Sequence, residues 1–375
     1  QSGAIDADST ASFAVGSNAI TLSNASNDFS GAVSLSNSGS NDVALRDANT
    51  LDLGTVSVGQ NLTVTTGGDL SDSGAIDVTG LATLVSTGSA VTLGDTTTAN
   101  FGSVDFSGAT VSIKEGSSME LASSEASGAL TLEASGAITQ SGAIDADSSA
   151  SFTAGSNAIT LNNASNDFSG AVSLSNSGTS DVALTDANAL DLGTVSIGQN
   201  LSIIAAGSIT DSGVLTVNGA TILDNSGGTN AAILLDSAST YTGNVTFTTD
   251  TGSDVTITDN SDFALQSGLN VNNLSITSTG SVTDLGDIDI DGTLVVSAAG
   301  QAIDLSGTGN ELTGAVTLTG AAVTLADTTA TSIAGITATG ALSVTSGGAI
   351  TQSGAIDADS TASFAVGSNA ITLSN

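Results

Sequence analysis

The densest group of acidic side chains in the sequence lies in residues 284–292, which read DLGDIDIDG. Within this run Asp287, Asp289 and Asp291 alternate with isoleucines, so a β-strand would place the three carboxylates on one outer face. Carboxylate oxygens are suitable ligands for Ca²⁺, and these three residues are the sequence's candidate metal ligands. The run does not match the EF-hand loop or the glycine–aspartate repeat of calcium-binding β-rolls. We therefore favour a solvated strand face, with a Ca²⁺ site as the alternative.

Groups that could carry out catalysis are scarce. The chain has no His and no Cys, which excludes an imidazole base, a Ser–His relay and a thiolate nucleophile. Paired carboxylates could hydrolyse glycosidic bonds, but an enzyme that acts on an acidic polysaccharide also needs cations to hold its substrate. Only Arg46 and Lys114 are available, and Thr185 replaces Arg46 in a second copy of the surrounding sequence. We predict no enzymatic activity, no catalytic residue and no cofactor-binding residue.

The charge balance restricts the partners of the chain. It has 37 acidic residues and 2 basic ones, a formal net charge of −35. A surface without a cationic stripe does not bind nucleic-acid phosphates and is repelled by anionic membranes. No apolar run approaches the roughly 20 residues of a membrane-spanning helix. The sequence therefore predicts neither nucleic-acid binding nor membrane insertion in this segment.

Internal repetition determines the arrangement of the strands that would position catalytic or metal-binding side chains. Residues 1–24 recur without change at residues 352–375, a period of 352 − 1 = 351 residues. A related copy with four substitutions stands at residues 140–163, and the partial repeat extends over residues 1–74 and 140–213. Repetition of this kind is typical of stacked arrays. We interpret the sequence as a window of a tandem array, with any export signal or anchor outside it.

Short apolar–polar–apolar phrases bounded by Gly, Ser and Asn fill the sequence, as in GSAVTL and GATVSI. This alternation predicts short strands with one buried face, and no phrase has the spacing of a helix. Similar phrases begin at Gly88, Gly108 and Gly128, which indicates roughly 20–22 residues per coil. Hairpin turns would need many more Asn-Gly or Asp-Gly pairs than the two present. We predict one continuous all-β, parallel β-solenoid over residues 1–375, with almost no helix.

Two further features give predictions about individual positions. The residues Phe29, Phe168, Tyr241 and Leu312 fall at equivalent places in related phrases, and we expect them to fill a corner of their coils. The Asn and Asp residues that precede them are expected to bond to turn backbone.

Residues 113–125 contain the only Lys, the only Met and three of the five Glu. This change in composition indicates a looser coil or a small bulged loop.

The phrase LDLGTVSVGQNLTVTTGG at residues 51–68, with its return at 190–207, resembles the repeats of filamentous haemagglutinin-like adhesins. These are large surface proteins that Gram-negative bacteria export by two-partner or autotransporter routes. The resemblance weakens along the chain but extends over all of it. It implies a right-handed parallel β-helix, display at the bacterial cell surface and a role in adhesion or biofilm matrix. It carries over no binding or catalytic residue.

These observations predict a structural repeat segment of a long extracellular fibre or adhesin stalk. Its expected partner is the chain itself, through covalent tandem continuation and through lateral or end-to-end association of fibres. The alternative is a binding module whose side face holds Ca²⁺, a glycan or neighbouring fibres. This alternative predicts a regular ladder of Asp or Asn residues on one strand face.

Overall fold

Strands in this protein are short and buried on one side. The strand Val43–Asp47 shows the pattern: its first, third and fifth residues are buried, and the two between them are more exposed. The computed structural model describes residues 1–374, so the last position of the predicted solenoid lies outside the described residues. The described chain winds into an all-β parallel solenoid of about 18 turns without a helix. The predicted fold class is confirmed.

The chain divides into two compact units, Gln1–Ala187 and Asn188–Asn375. The strands of the first unit, in chain order, are β1 Asp6–Ala7, β2 Ala11–Ala14, β3 Ile20–Leu22, β4 Asp28–Phe29, β5 Val33–Asn37, β6 Val43–Asp47, β7 Leu51–Val58, β8 Leu62–Thr66, β9 Leu70–Asp72, β10 Ile76–Ser86, β11 Val91–Leu93, β12 Ala99–Gly108, β13 Val111–Glu115, β14 Met119–Leu121, β15 Ser124–Ala126, β16 Leu130–Ala134, β17 Ile138–Gln140, β18 Ile144–Ala146, β19 Ala150–Thr153, β20 Ile159–Leu161, β21 Asp167–Phe168, β22 Val172–Asn176 and β23 Val182–Asp186.

The second unit has the same kind of strands. They are β24 Leu190–Ile197, β25 Leu201–Ala205, β26 Ile209–Asp211, β27 Leu215–Val217, β28 Thr221–Asp224, β29 Ile233–Tyr241, β30 Val245–Thr248, β31 Val255–Asp259, β32 Phe263–Leu265, β33 Leu269–Val271, β34 Leu274–Ser278, β35 Val282–Asp284, β36 Ile288–Ile290, β37 Leu294–Ser297, β38 Ile303–Leu305, β39 Glu311–Leu312, β40 Ala315–Gly320, β41 Val323–Asp327, β42 Thr331–Ala338, β43 Leu342–Ser346, β44 Ile350–Gln352, β45 Ile356–Ala358, β46 Ala362–Ala365 and β47 Ile371–Thr372. No helix among residues 1–374 is long and apolar enough to cross a membrane.

Most strands pair in parallel with an equivalent strand of the next coil. In the first unit β13, β16, β19 and β22 stack in register. The length of a coil varies: a short one runs from Ala99 to its partner Glu115, and a long one runs from Thr221 to its partner Val245. The predicted length of roughly 20–22 residues per coil falls between these two. The right-handed sense and the single continuous solenoid over residues 1–375 stay predictions.

Aliphatic side chains fill the interior, and most are less than 2 % exposed. Full burial of one Leu, Ile or Val side chain contributes about 1.5–3 kcal/mol, so the stack of apolar residues is the main source of stability. Phenylalanines pack edge to face between successive coils of the first unit. The ring centroids of Phe13 and Phe29 are 6.1 Å apart, and those of Phe152 and Phe168 are 5.9 Å apart.

Residues 113–125 do not form the predicted loop. They contribute to the regular strands β13, β14 and β15, and Met119 and Leu121 are fully buried. The prediction was wrong because Lys114, Glu120 and Glu125 lie at exposed positions between buried ones. The outer positions take these three charges while the inner positions face the core, and Glu115 is the one acid of the segment at an inner position. The unusual composition does coincide with the short coil that ends at Glu115.

Candidate functional site: a buried carboxylate in each repeat

A buried carboxylate closes one corner of the solenoid. Asp47 is 1 % exposed, and its Oδ2 accepts a hydrogen bond of 3.2 Å from the backbone N–H of Phe29. Its Oδ1 accepts one of 3.0 Å from the N–H of Asn49. The N–H of Ala48, the next residue, donates to the carbonyl oxygen of Asn27 at 2.8 Å. We call this arrangement, an acid side chain on one coil bonded to the backbone of the coil before it, a carboxylate clip.

The clip has a local cause. Strand β4 pairs only with β1, and the N–H groups of Asp28 and Ser30 donate to that neighbour. The N–H of Phe29, between them, points to the opposite side, where no strand follows. A buried N–H without a partner costs about 1–3 kcal/mol, so a side-chain acceptor must take the place of the missing strand. Asp47 provides it.

The same acceptor contact recurs in both units. The N–H of Phe101 donates to Glu115 at 3.0 Å, that of Tyr241 to Asp259 at 3.1 Å, and that of Leu312 to Asp327 at 3.3 Å. Asp186 occupies the matching position and is also 1 % exposed.

The second backbone bond of the clip recurs as well. In each case the residue after the acid donates its N–H to a carbonyl of the preceding coil, at distances between 2.7 and 2.9 Å. These bonds are Gly116 to Ala99, Ala187 to Asn166, Asn260 to Ser239 and Thr328 to Asn310.

Burial makes three of the clip acids, Asp47, Glu115 and Asp259, harder to ionise. The chain has only two cationic side chains, and its one described salt bridge joins Lys114 Nζ to Glu133 Oε1 at 2.7 Å on the outer surface. The clip acids are therefore stabilised by hydrogen bonds and not by ion pairs. Burial raises the pKa of Asp47 and Asp259 above the ordinary range. It raises the pKa of Glu115 to about 7.

The clips differ in how completely their oxygens are satisfied, and Asp327 has the fullest set of donors. Its Oδ1 accepts from the N–H of Leu312, from the N–H of Thr329 at 2.9 Å and from the Thr329 hydroxyl at 2.8 Å. Its Oδ2 accepts from the hydroxyl of Thr331 at 2.8 Å. Both oxygens of this carboxylate are hydrogen-bonded.

Glu115 has fewer donors. Its Oε1 accepts from the N–H of Phe101 at 3.0 Å and from the hydroxyl of Ser117 at 2.9 Å. Its Oε2 is buried and has no hydrogen-bond partner among the described residues. The acid and its backbone donor are 14 positions apart in the sequence here, compared with 18 for Asp47 and Phe29. The acid with the longer side chain, Glu, therefore occurs where fewer residues separate the acid from its backbone donor.

A surface groove adjoins the clip in one repeat of each unit. The groove beside Glu115 has a volume of about 220 Å³ and is lined by Gly94, Thr97, Thr98, Lys114, Gly116 and Ser135. The groove beside Asp327 has a volume of about 410 Å³ and is lined by Ser306, Gly307, Thr308, Ala326, Thr328, Thr345, Ser346 and Gly347.

The three aspartates singled out in the sequence lie at a strand of the second unit. Asp289 is half-buried on β36, accepts a hydrogen bond of 3.0 Å from Asn270 Nδ2 and stands in register with Glu311 on β39. Asp287 and Asp291 are exposed on either side of this strand. In residues 1–374 no group of three or more Asp, Glu, His or Cys side chains is arranged to hold a metal ion. Ca²⁺ binding by these residues stays the alternative to a solvated strand face.

The predicted corner residues are placed as expected. Phe29, Phe168, Tyr241 and Leu312 are each at most 2 % exposed. The expectation for the preceding Asn is also confirmed, because Asn27 Nδ2 donates to the carbonyl oxygens of Leu22 and Arg46.

The expectation for the preceding Asp was wrong. Asp28 lies on the outer side of β4, since successive residues of a strand face opposite sides. Phe101 occupies a fifth corner that was missed because Gly102 and Ser103 follow it, whereas a Ser or Thr and then a Gly follow the other four.

A family model described as "Repeats of unknown function (DUF5649)" matches residues 1–36, 40–107, 108–175, 179–248, 252–319 and 320–375. The chain belongs to this repeat family. The clip acid is the eighth residue of each DUF5649 segment after the first: Asp47, Glu115, Asp186, Asp259 and Asp327. The segments that end at residues 36 and 175 differ by 175 − 36 = 139 positions. The partial repeat seen in the sequence therefore corresponds to two DUF5649 repeats.

No curated protein and no solved structure matches the chain. The clip acids were not among the predicted site residues, although the sequence carries a signal for them. They recur at nearly even intervals, close to the length of the family repeat. Each also ends a strand whose inner positions are otherwise apolar, as β6 and β13 show.

Proposed function

We propose that the chain is a structural repeat segment of a long extracellular fibre or adhesin stalk, displayed at a bacterial surface. The observation that carries the proposal is the parallel, in-register pairing of strands with their equivalents one coil later. A stack built in this way grows by adding coils, because every new coil covers the apolar edge of the last. The role requires no catalysis and no cofactor.

The carboxylate clips support the same role. They supply a side-chain acceptor to a backbone N–H at the irregular corner, and the contact recurs in four of the DUF5649 segments. Repeats can then follow one another without an additional capping element in every repeat. The net charge of −35 keeps neighbouring fibres soluble and apart by repulsion at low ionic strength.

A length measurement tests the structural role. Proteins with one, two and three copies of the repeating period are compared by electron microscopy of single particles. At roughly 20 residues per coil and about 4.8 Å between strands, each added period lengthens the particle by about 80 Å. Particles that grow in all directions, or whose length does not increase with copy number, contradict the proposal.

A second measurement tests the location independently. Antibodies raised against the whole chain are applied to intact producing cells and detected with gold particles. We expect labelling outside the cell envelope, at a distance from it that increases with the number of repeats. Labelling that appears only after permeabilisation contradicts the extracellular assignment. It does not affect the fibre geometry, which the length measurement tests separately.

A side-face binding module is the second candidate, and one observation favours it. Glu125, Asp145 and Asp167 stand in register on β15, β18 and β21. Burial raises the pKa of Asp145, and so do the carboxylates of Asp147, Asp167 and Glu125. A cation between the rungs would relieve this repulsion. We expect calorimetric heat on titration with Ca²⁺ that disappears when Asp145 and Asp167 are changed to Asn. No heat in the unmodified chain contradicts this candidate.

A further inference from the structure

The Glu115 clip differs from the Asp327 clip in the hydrogen bonding of its carboxylate, and this difference gives it a distinct behaviour. Every carboxylate oxygen of Asp327 accepts a hydrogen bond. Glu115 has both of its hydrogen bonds on Oε1, and its Oε2 is buried without a donor among the described residues. A buried carboxylate anion that lacks donors and a counter-charge is costly. A proton on Oε2 removes the charge and leaves both bonds to Oε1 in place.

The charged groups near Glu115 do not compensate its ionisation. Lys114 and Glu133 form an ion pair of 2.7 Å on the outer face and are each about half exposed. Asp72 accepts a hydrogen bond from the N–H of Gly94, and Asp95 is exposed in the turn that follows. Burial is the largest cause of the raised pKa of Glu115, and no charged neighbour contributes to the shift.

We infer that the Glu115 clip is a proton-controlled latch in the first unit of the chain. With Glu115 neutral, the corner where it meets Phe101 and Ser117 stays closed. With Glu115 ionised, this corner opens locally so that water reaches the carboxylate. The Asp327 clip, whose oxygens all have donors, stays closed over the same pH range.

The direction of the pH dependence follows from linkage. The pKa of Glu115 is about 7 in the closed corner and returns to its ordinary value of 4.5 when the corner opens. The closed state therefore binds more protons than the open state between these values. The contribution of this proton to the stability of the closed corner is fully present below about pH 4.5 and is lost as the pH rises through about 7.

Hydrogen exchange of the whole chain, followed by mass spectrometry at pH 5 and pH 8.5, tests the inference. Rates are corrected for the intrinsic pH dependence of amide exchange. We expect the opening constant of the segment with Phe101 and Ser117 to rise on the order of 10–100-fold at the higher pH. The segment with Leu312 and Thr329 is the internal control and keeps its opening constant. Equal changes in both segments, or no change in either, overturn the inference.

Two variants separate the latch from a general effect of pH. Glu115→Gln is neutral at every pH, and we expect it to remove the pH dependence of its own corner. Ser117→Ala removes a donor that favours the anion, and we expect the opening constant of this variant to keep rising to a higher pH, by a larger total factor, than in the unmodified chain. Asp327→Asn is the matched control and leaves the pH response of the Glu115 corner unchanged. A Glu115→Gln protein that still opens between pH 5 and 8.5 overturns the inference. If this variant does not fold, the Ser117→Ala shift decides.

Discussion

The Oδ1 atom of Asp259 accepts a hydrogen bond of 3.1 Å from the backbone N–H of Tyr241. The two residues are 18 positions apart in the sequence and lie on successive coils of the second unit. This contact replaces a strand-to-strand bond by a bond to a side chain. A substitution of Asp259 therefore tests how much the clip contributes to stability.

Asp259→Ala removes the acceptor of the Tyr241 N–H and of the N–H and hydroxyl of Ser261. A buried donor left without a partner costs about 1–3 kcal/mol, so we expect a loss of stability of at least that size. The measurement is the urea midpoint of the second unit's unfolding. Asp304→Ala, at an exposed outer position of β38 in the same unit, is the control and changes stability by less than about 0.5 kcal/mol. Equal effects of the two changes would contradict the clip's structural role.

Tyr241→Phe should be neutral or slightly stabilising. The Tyr241 hydroxyl is buried near Ser239 but forms no well-aligned hydrogen bond within the described part of the chain, and three other repeats carry Phe at this corner. Removing a poorly satisfied buried hydroxyl recovers its desolvation cost. Tyr241→Ala is the contrast, because loss of a buried ring costs about 3–5 kcal/mol. Thermal unfolding of the three proteins checks the order, and a Phe variant as unstable as the Ala variant contradicts it.

The chain should be more stable at pH 5 than at pH 8. Burial raises the pKa values of Asp47, Glu115 and Asp259, so the folded chain binds more protons than the unfolded chain above the ordinary carboxyl range. Stability therefore decreases as the pH rises through the raised pKa values. The melting temperature at the two pH values is measured in about 0.5 M NaCl, which shortens the screening length to a few ångströms and suppresses surface repulsion. A higher melting temperature at pH 8 would show that another effect dominates.

Gly94→Ala and Gly88→Ala separate close packing of coils from backbone strain. Both glycines have positive φ, +79° and +74°. A Cβ at Gly94 would lie 1.9 Å from the carbonyl oxygen of Lys114 on the next coil, whereas a Cβ at Gly88 meets no atom within 4 Å. We expect Gly88→Ala to cost roughly 1–2 kcal/mol from the left-handed backbone alone, and Gly94→Ala to cost distinctly more. Chemical unfolding measures both, and equal costs would contradict the close approach of the coils.

Much of the fold could be predicted because it depends on local patterns. Alternation of apolar and polar residues determines which face of a strand is buried, and it predicted strands such as Val33–Asn37 and Leu62–Thr66. The shortage of hairpin turn pairs indicated parallel stacking. The same alternation predicted that Phe29 and Phe168 are buried. It failed at residues 113–125, where the composition drew attention away from a pattern that was still present.

The candidate site could not be predicted in the same way. The acid and the residue whose N–H it accepts are 14 positions apart at Glu115 and 18 at Asp47, so no fixed spacing identifies the pair. The residue type does not separate Asp47, which is buried, from Asp28, which lies on an outer face. The signal in the sequence was the recurrence of the acid at the end of an otherwise apolar strand face. Their surroundings depend on which strand ends and how long the next coil is.

The sequence by itself therefore determined the strands, their buried faces and the repetition of one coil upon another. Each of these follows from side-chain alternation over a few neighbouring residues. Only the tertiary structure decided the register of the coils, the missing strand beside Phe29 and the acid that replaces it. Register depends on the closure of a whole turn, whose length differs from one coil to another. A backbone donor left without a strand partner then decides where a carboxylate must be buried.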